Sequence, residues 1–253
     1  MSILGDFFDR RKLVGLLVVI VVILGFFGFV GYIHDIPTTY HYETWLPNSD
    51  KRDTRITITG LTDANITVSY VDEPGLWYRM DITHYDSTKR HAVENVTDPS
   101  FFPLRVHVTS VTPVKRLDLF LGTDVAHSLY ISGTNLNTKI ILDNGAKLSG
   151  SRCRFYGTGT FQFFMTDDVN FTEGGMDVKV GDFFTDSPST ELVIVDVNLP
   201  AGLNGRLSSP NVSFVQNEWP VKYGQEWGTI LIDEPLLDIE IYSSLKVWAN
   251  LLM

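Results

Sequence analysis

From Thr54 onward, apolar side chains fall on alternate residues. Ile56 and Ile58, then Ile66, Val68 and Tyr70, then Leu76, Tyr78, Met80 and Ile82 each leave a residue of the opposite face between them. That is the period of a half-buried strand. Thr59-Gly60, Asp63-Ala64-Asn65 and Glu73-Pro74-Gly75 supply the turns that separate these runs. Val106 and Val108 resume the pattern after a looser stretch from His84 to Pro103. Further strands are predicted over Phe161–Met165, Met176–Val180, Glu191–Leu199, Gly228–Ile232, Leu237–Ile241 and Leu245–Leu251, and no long helical period occurs among them.

The stretch after Val114 adds a recurrence. LDLFLG ends at Gly122, SLYISG ends at Gly133 and TKIILDN reaches Asn144, so a strand followed by a turn residue returns every 11 residues. Stacked parallel coils would place Leu119, Tyr130 and Ile141 one above another on the same face, because positions one repeat apart are equivalent. Alternation then buries Leu117, Leu121, Leu129, Ile131, Ile140 and Leu142 and leaves Asp118, Asn135 and Lys139 at the surface or in turns. A hairpin meander produces similar spacing. The expected fold class is all-β, either a β-solenoid (β-helix) or a β-sandwich.

A different pattern precedes the strands. Leu13 to Ile33 is a run of 21 residues with no charged, amide or proline side chain. As a helix it would be about 31 Å long, matching a bilayer core of about 30 Å. The run predicts one transmembrane helix, with the lipid bilayer as a partner through residues 13–33. Arg10, Arg11 and Lys12 stand directly before it, which keeps the N-terminus cytoplasmic and sends the rest of the chain outside. A cleaved secretory signal is the rival. The run is longer than a usual signal core, and no alanine precedes Ala64 to build a cleavage site. The predicted organisation is a cytoplasmic tail over 1–12, the span over 13–33, a juxtamembrane stalk over 34–53 and an extracytoplasmic all-β domain over 54–253, with a candidate subdivision near 111.

Composition narrows the function classes. Three of the 20 Lys and Arg and two of the 30 Asp and Glu precede the span, so the remainder carries a net charge of about −11. Such a surface disfavours nucleic acid and bare anionic lipid. Cys153 is the only cysteine, which excludes an intramolecular disulfide and a multi-cysteine zinc site. Stability outside the cell must then come from packing, as expected of a prokaryotic surface protein. Sequons at Asn65, Asn95, Asn170 and Asn211 are candidate glycosylation sites.

Candidate chemistry is sparse. The six histidines include no H-E-x-x-H, and no G-x-S-x-G elbow, S-x-x-K or P-loop occurs. No catalytic residue, metal site or cofactor is assigned. Asp167, Asp168, Asn170, Glu173 and Asp177 form a weak candidate calcium loop, since calcium takes six to eight oxygens. An EF-hand begun at Asp168 would need glycine where Glu173 stands and glutamate where Lys179 stands, so a solvated turn is the expected reading. Trp219, Tyr223 and Trp227 are candidate ligand contacts, as aromatics on loops often are. The plainer alternative is a loop folded back on the end of the domain with both indoles as anchors.

The strand-and-turn succession LDLFLGTDVAHSLYISGTNLNTKIILDNG, then ELVIVDVNLPAGLNGRL, then LLDIEIYSS, resembles the adhesin-type β-helical ectodomains of archaeal and bacterial single-pass membrane proteins. The resemblance covers about Thr54 to Leu252 and implies a β-helix or β-sandwich held at the envelope, with no catalytic residues. The resulting expectation is a membrane-anchored, non-enzymatic surface protein in an adhesive or scaffolding role, with an envelope protein or a glycan as partner. The alternative is an accessory or sensory subunit of an envelope complex; a glycan-active enzyme ranks below both.

Overall fold

The structure, a computed structural model, describes residues 16–26, 37–46, 53–85, 91–96, 104–110, 113–181, 192–229, 235–242 and 246–253. Residues 16–26 form a helix whose side chains are all exposed, from Leu16 to Phe26. Eleven residues rise about 16 Å, half a bilayer core, and no described helix is long and apolar enough to cross a membrane. The rest of the predicted span, 13–15 and 27–33, lies outside the described residues, as does the tail over 1–12.

Among the described residues, everything else is strand, turn or connecting chain. The chain lays strands down in pairs: β2 (Thr54–Thr62) with β3 (Asn65–Val71), β6 (Leu104–Ser110) with β7 (Val114–Gly122), β8 (His127–Thr134) with β9 (Asn137–Leu142), β10 (Lys147–Tyr156) with β11 (Gly159–Met165), β12 (Asn170–Val180) with β13 (Leu192–Asn198), β14 (Gly205–Ser208) with β15 (Val212–Asn217), and β18 (Leu237–Ile241) with β19 (Lys246–Leu252). The first of each pair joins a front sheet and the second a back sheet, and within each sheet these strands are all parallel. One pair is therefore one turn of a flattened coil. β1 (Thr38–Trp45), β4 (Leu76–His84), β5 (His91–Val96), β16 (Val221–Tyr223) and β17 (Glu226–Gly228) pair antiparallel and close the ends of the stack.

The two sheets share one core. In the back sheet Leu119, Val68, Ile140, Phe163, Val197 and Leu251 are neighbours in register, all buried. In the front sheet Val108, Ile58, Ile131, Cys153, Val178, Ile239 and Leu207 do the same. Cys153 serves there as a small hydrophobe. The six residues expected in the core, from Leu117 to Leu142, are buried, and Lys139 is exposed.

The expected stacking of Leu119, Tyr130 and Ile141 is corrected. Eleven residues carry the chain through half a coil, to the opposite sheet. Leu119 points inward from the back sheet, Tyr130 points outward from the front sheet with 36% exposure, and Ile141 is half-buried on the back sheet. True equivalents, such as Tyr130 and Arg152 or Asn137 and Thr160, are 22 or 23 residues apart.

Front-to-back turns stack as well. Asp63, Asn135 and Gly157 hold equivalent places, with φ of 52°, 53° and 71°. Asp and Asn tolerate this left-handed region better than most side chains. Asn135 Nδ2 donates to Asp63 Oδ1 (3.1 Å), while the Thr158 amide donates to Asn135 Oδ1 (3.1 Å). A Cβ on Gly157 would fall 2.2 Å from that oxygen, so only glycine fits. One step on, Asn137 Nδ2 donates to Asn65 Oδ1, and the Thr160 amide to Asn137 Oδ1, both at 3.1 Å.

Pair order in space differs from pair order in sequence. β2–β3 lies between β6–β7 and β8–β9, and β18–β19, the last pair made, lies between β12–β13 and β14–β15. The predicted stalk over 34–53 contains β1, which pairs with β4 along its whole length and so belongs to the β-domain. β6 and β7, on either side of the subdivision expected near 111, form one coil against β2 and β3.

Candidate functional site

Alternation directs every second residue of the front sheet outward, so its outer face is a grid of rows crossing the strands. Toward β14 the charges on this grid are matched. Arg154 donates to Asp177 (2.9 Å), Lys179 meets Glu240 (2.7 Å) and Arg206 grips Asp238 with two nitrogens (2.9 and 2.7 Å). The hydrogen bonds that Lys179 and Arg206 donate to the Glu240 and Asp238 carboxylates hold both cations above their usual pKa ranges.

Toward β6 the matching stops. Arg55 on β2 stands directly opposite Arg105 on β6, and Arg152 on β10 stands opposite Tyr130 on β8. None of the three arginines makes an ion pair among the described residues, whereas Arg79, Arg116, Arg154 and Arg206 all do. Like charges directly opposite each other on a sheet are destabilising. Asp177 is the cross-strand neighbour of Arg152, but it is turned to Arg154 instead. On the other side Glu94 of β5 lies opposite His107 in register and forms no ion pair among the described residues. A local excess of cationic side chains thus persists on a chain of net charge −10.

These residues border a groove of about 490 Å³, lined by Arg55, Thr57, Ser128, Tyr130, Gly150 and Arg152, with Leu129 contributing at its floor. A break in the β8–β10 ladder between Leu148 and Arg152 shapes it. There the Ser151 hydroxyl, rather than a backbone carbonyl, accepts the Leu129 amide hydrogen (3.0 Å), and Ser128 Oγ donates to the Gly150 carbonyl (3.2 Å). Gly150 has φ of +41° and no side chain to fill the depression. With strands about 4.8 Å apart and about 3.3 Å per residue, the Arg55 and Arg152 Cα atoms stand about 12 Å apart, two strands and two residues removed. Two arginine side chains can converge across that gap, with the Tyr130 ring between them.

The residues singled out from sequence lie elsewhere. In the acidic loop, Thr166 Oγ1 donates to Asp168 Oδ1 and the Gly145 amide donates to Asp168 Oδ2 (2.7 Å), so Asp168 secures a turn, and these bonds hold its carboxyl below the usual range. Asp177 is drawn off to Arg154, Asp167 and Glu173 are exposed, and Asn170 begins β12. Among the described residues no three His, Cys, Asp or Glu converge to hold a metal. Trp219 and Trp227 are buried, 3% and 7% exposed. Trp219 Nε1 donates to the Leu252 carbonyl (3.2 Å), and Trp227 meets Phe214 edge to face. The two indoles plug the far end of the stack instead of forming a ligand platform, and the backbone of Tyr223 pairs with Glu226 there. Asn65, Asn95, Asn170 and Asn211 are all exposed, with Asn65 held in the asparagine ladder and Asn95 accepting from the Tyr78 hydroxyl (2.7 Å).

The groove was missed because its residues are far apart in the chain. Tyr130 and Arg152 are separated by one coil, so the coil period is the signal that aligns them, and Arg55 arrives 75 residues before Tyr130.

The fold is a two-sheet stack of parallel coils with antiparallel ends. A crystal structure of a protein from Clostridium sporogenes, named a "putative cell adhesion protein", has the same overall fold, with a TM-score of 0.59 over 86% of this chain and 99% of that one, at 11% identity. No family model matches the chain, and no curated protein matches it by sequence.

Proposed function

We propose that this chain is a non-enzymatic surface protein in which residues 13–33 anchor a solenoid-like adhesive domain to the membrane. The observation that carries the reading is the fold likeness to a protein named a "putative cell adhesion protein", over 99% of that chain. The uncharged run with Arg10, Arg11 and Lys12 before it supports an anchor with the β-domain outside. The groove supports a binding role more than a catalytic one. Its polar groups are guanidinium, hydroxyl and phenol, with no carboxylate pair and no nucleophile beside a base among its lining residues. Cys153 and His127, next in sequence to lining residues, are buried in the core, and the exposed His107, opposite Thr57 in register, has its Nε2 3.3 Å from the Thr59 hydroxyl oxygen.

The test is attachment. Cells that express the full chain should aggregate, or settle on a conditioned surface, more than cells carrying an empty vector. Cells that express a chain lacking residues 13–33 should behave as the empty-vector cells do. Equal behaviour of full-chain and empty-vector cells, with the protein present in the membrane fraction, would contradict an adhesive role.

A further inference from the structure

Two opposed facts meet at the groove on the front sheet. The protein is strongly acidic, yet Arg55, Arg105 and Arg152 stand close together with no carboxylate partner among the described residues, two of them directly opposite each other. Elsewhere on the same face each cation that is flanked by acids is paired at 2.7 to 2.9 Å. Removing one arginine of an opposed pair would relieve repulsion at no cost to the core, since both point outward. An anion supplied from outside offsets that repulsion.

The shape and lining of the groove narrow the anion. A volume of about 490 Å³ is within the range of small-ligand sites and holds one or two sugar rings. Thr57 and Ser128 supply hydroxyls, the open edge at Gly150 supplies backbone, and Tyr130 offers an apolar ring face with a hydroxyl at its rim that has no hydrogen-bond partner among the described residues. Arginine forks match a planar carboxylate with two parallel hydrogen bonds. A long polyanion such as nucleic acid, or an anionic bilayer, would meet the repulsion of the whole acidic surface, whereas a ligand with isolated carboxylates on a hydroxyl-rich frame meets only the local field.

We infer that this groove binds a carboxylated sugar, a uronic acid or a related acidic saccharide, with Arg55 and Arg152 gripping the carboxylate and Tyr130 lying against the ring. The inference rests on the adhesive reading and names its ligand class. It places Arg105 as the cation that raises the local potential from one strand away.

Calorimetry on the full chain in neutral detergent micelles tests it with four probes: a trimer of galacturonic acid, its fully methyl-esterified form, a pentaglutamate peptide and glycerol phosphate. The acidic trimer should bind. The ester should bind at least tenfold more weakly, and raised salt should weaken the trimer. Arg55→Gln and Arg152→Gln should each weaken the trimer tenfold or more. Tyr130→Ala should weaken it while leaving the salt dependence in place, and Arg116→Gln, a paired residue on the back sheet, should change nothing. Circular dichroism of each variant establishes that it is folded. Binding of the ester as tight as that of the acid, equal or tighter binding of pentaglutamate or glycerol phosphate, indifference to both arginine variants, or no binding of the trimer would each overturn the assignment. Failure of this site and failure of the adhesive reading are separable: cells that still attach when displaying Arg55→Gln and Arg152→Gln retain the function and lose the site, whereas cells that never attach lose the function itself.

Discussion

Acidification should weaken this fold through His127, and its surroundings set the size of the effect. The imidazole opens β8 and is fully buried between the sheets, with the Tyr70 ring edge-on at 5.6 Å. A carbonyl can only accept, so Nε2 carries the hydrogen that reaches the Gly122 oxygen at 2.9 Å, and Nδ1 accepts from the Thr54 hydroxyl at 2.6 Å. Both ring nitrogens are satisfied in the neutral form, and a second proton on Nδ1 would force the Thr54 hydroxyl to turn its hydrogen to the Ala126 carbonyl, 3.4 Å away, with the charge still enclosed between the sheets. Burial therefore lowers the pKa from 6.5 to about 4, partly opposed by the bond to Gly122. The unfolded chain takes up this proton near pH 6.5 and the native chain only near pH 4. Stability is thus complete above the unfolded value and falls as the pH drops from about 6.5 to about 4. At about 1.36 kcal/mol per unit the loss amounts to about 3 kcal/mol. Urea unfolding of wild type and His127→Gln at half-unit steps from pH 7.5 to 4 isolates it, because other groups contribute to both proteins alike. The stability advantage of wild type should shrink by about 3 kcal/mol over that range, and the His127 ring signals in NMR should not titrate above pH 5. Parallel pH profiles for the two proteins would refute the buried neutral imidazole.

Three further outcomes follow from the packing. Leu121→Ala, at a position with 0% exposure, should cost about 2 to 5 kcal/mol in a thermal or urea melt, and Lys139→Ala, which removes only an exposed cation lying over the Phe164 ring, should cost less than about 1 kcal/mol; equal effects would contradict the inward and outward assignment. Ending the chain at Thr229 should abolish the folded state as judged by circular dichroism, because β18 and β19 are interior to the stack and take buried Leu237, Ile239, Ile241, Val247 and Leu251 with them, at about 1.5 to 3 kcal/mol each against a total stability of about 5 to 15; a cooperatively folding fragment would show that the last pair sits at an end. Cys153, whose thiol burial pushes up to about 12, should react with a thiol reagent at pH 8 only at the rate of unfolding, so rapid labelling of the native protein would contradict its place in the front-sheet core.

Alternation made the strands legible, and with them most of the core, since a half-buried strand announces its inward face residue by residue. Leu117, Leu121, Leu129, Ile131, Ile140 and Leu142 were all readable in this way. The 11-residue recurrence was real too, but it counts strands and not coils: a flattened coil needs two strands and two turns, so Leu119 and Tyr130 ended on different sheets with opposite orientation. The exchange of coil order at both ends left no trace in local pattern, because parallel pairing between β2 and β6, or β18 and β14, is decided by contacts across tens of residues. β1 was hidden for a related reason. Its residues fall within the stalk expected over 34–53, and only the register with β4 sets half-buried Tyr40 and Tyr42 beside His84 and His91. Trp219 and Trp227 carried a ligand-contact reading beside the plainer one of a folded-back loop with both indoles as anchors, and both indoles are buried. The groove had no motif to announce it, since charge becomes informative there only once the three unmatched arginines are seen on one face of the front sheet.

An adhesive surface role requires the β-domain to be delivered to the outer side of the membrane. Intact cells that express the full chain with an epitope after Met253 should be treated with a protease that does not cross the membrane, with a cytoplasmic protein followed as a control for lysis. The epitope should be lost from intact cells while the cytoplasmic control survives and a short N-terminal fragment stays with the membrane. An epitope that survives on intact cells and is lost only after lysis would place the β-domain inside and contradict an adhesive surface role.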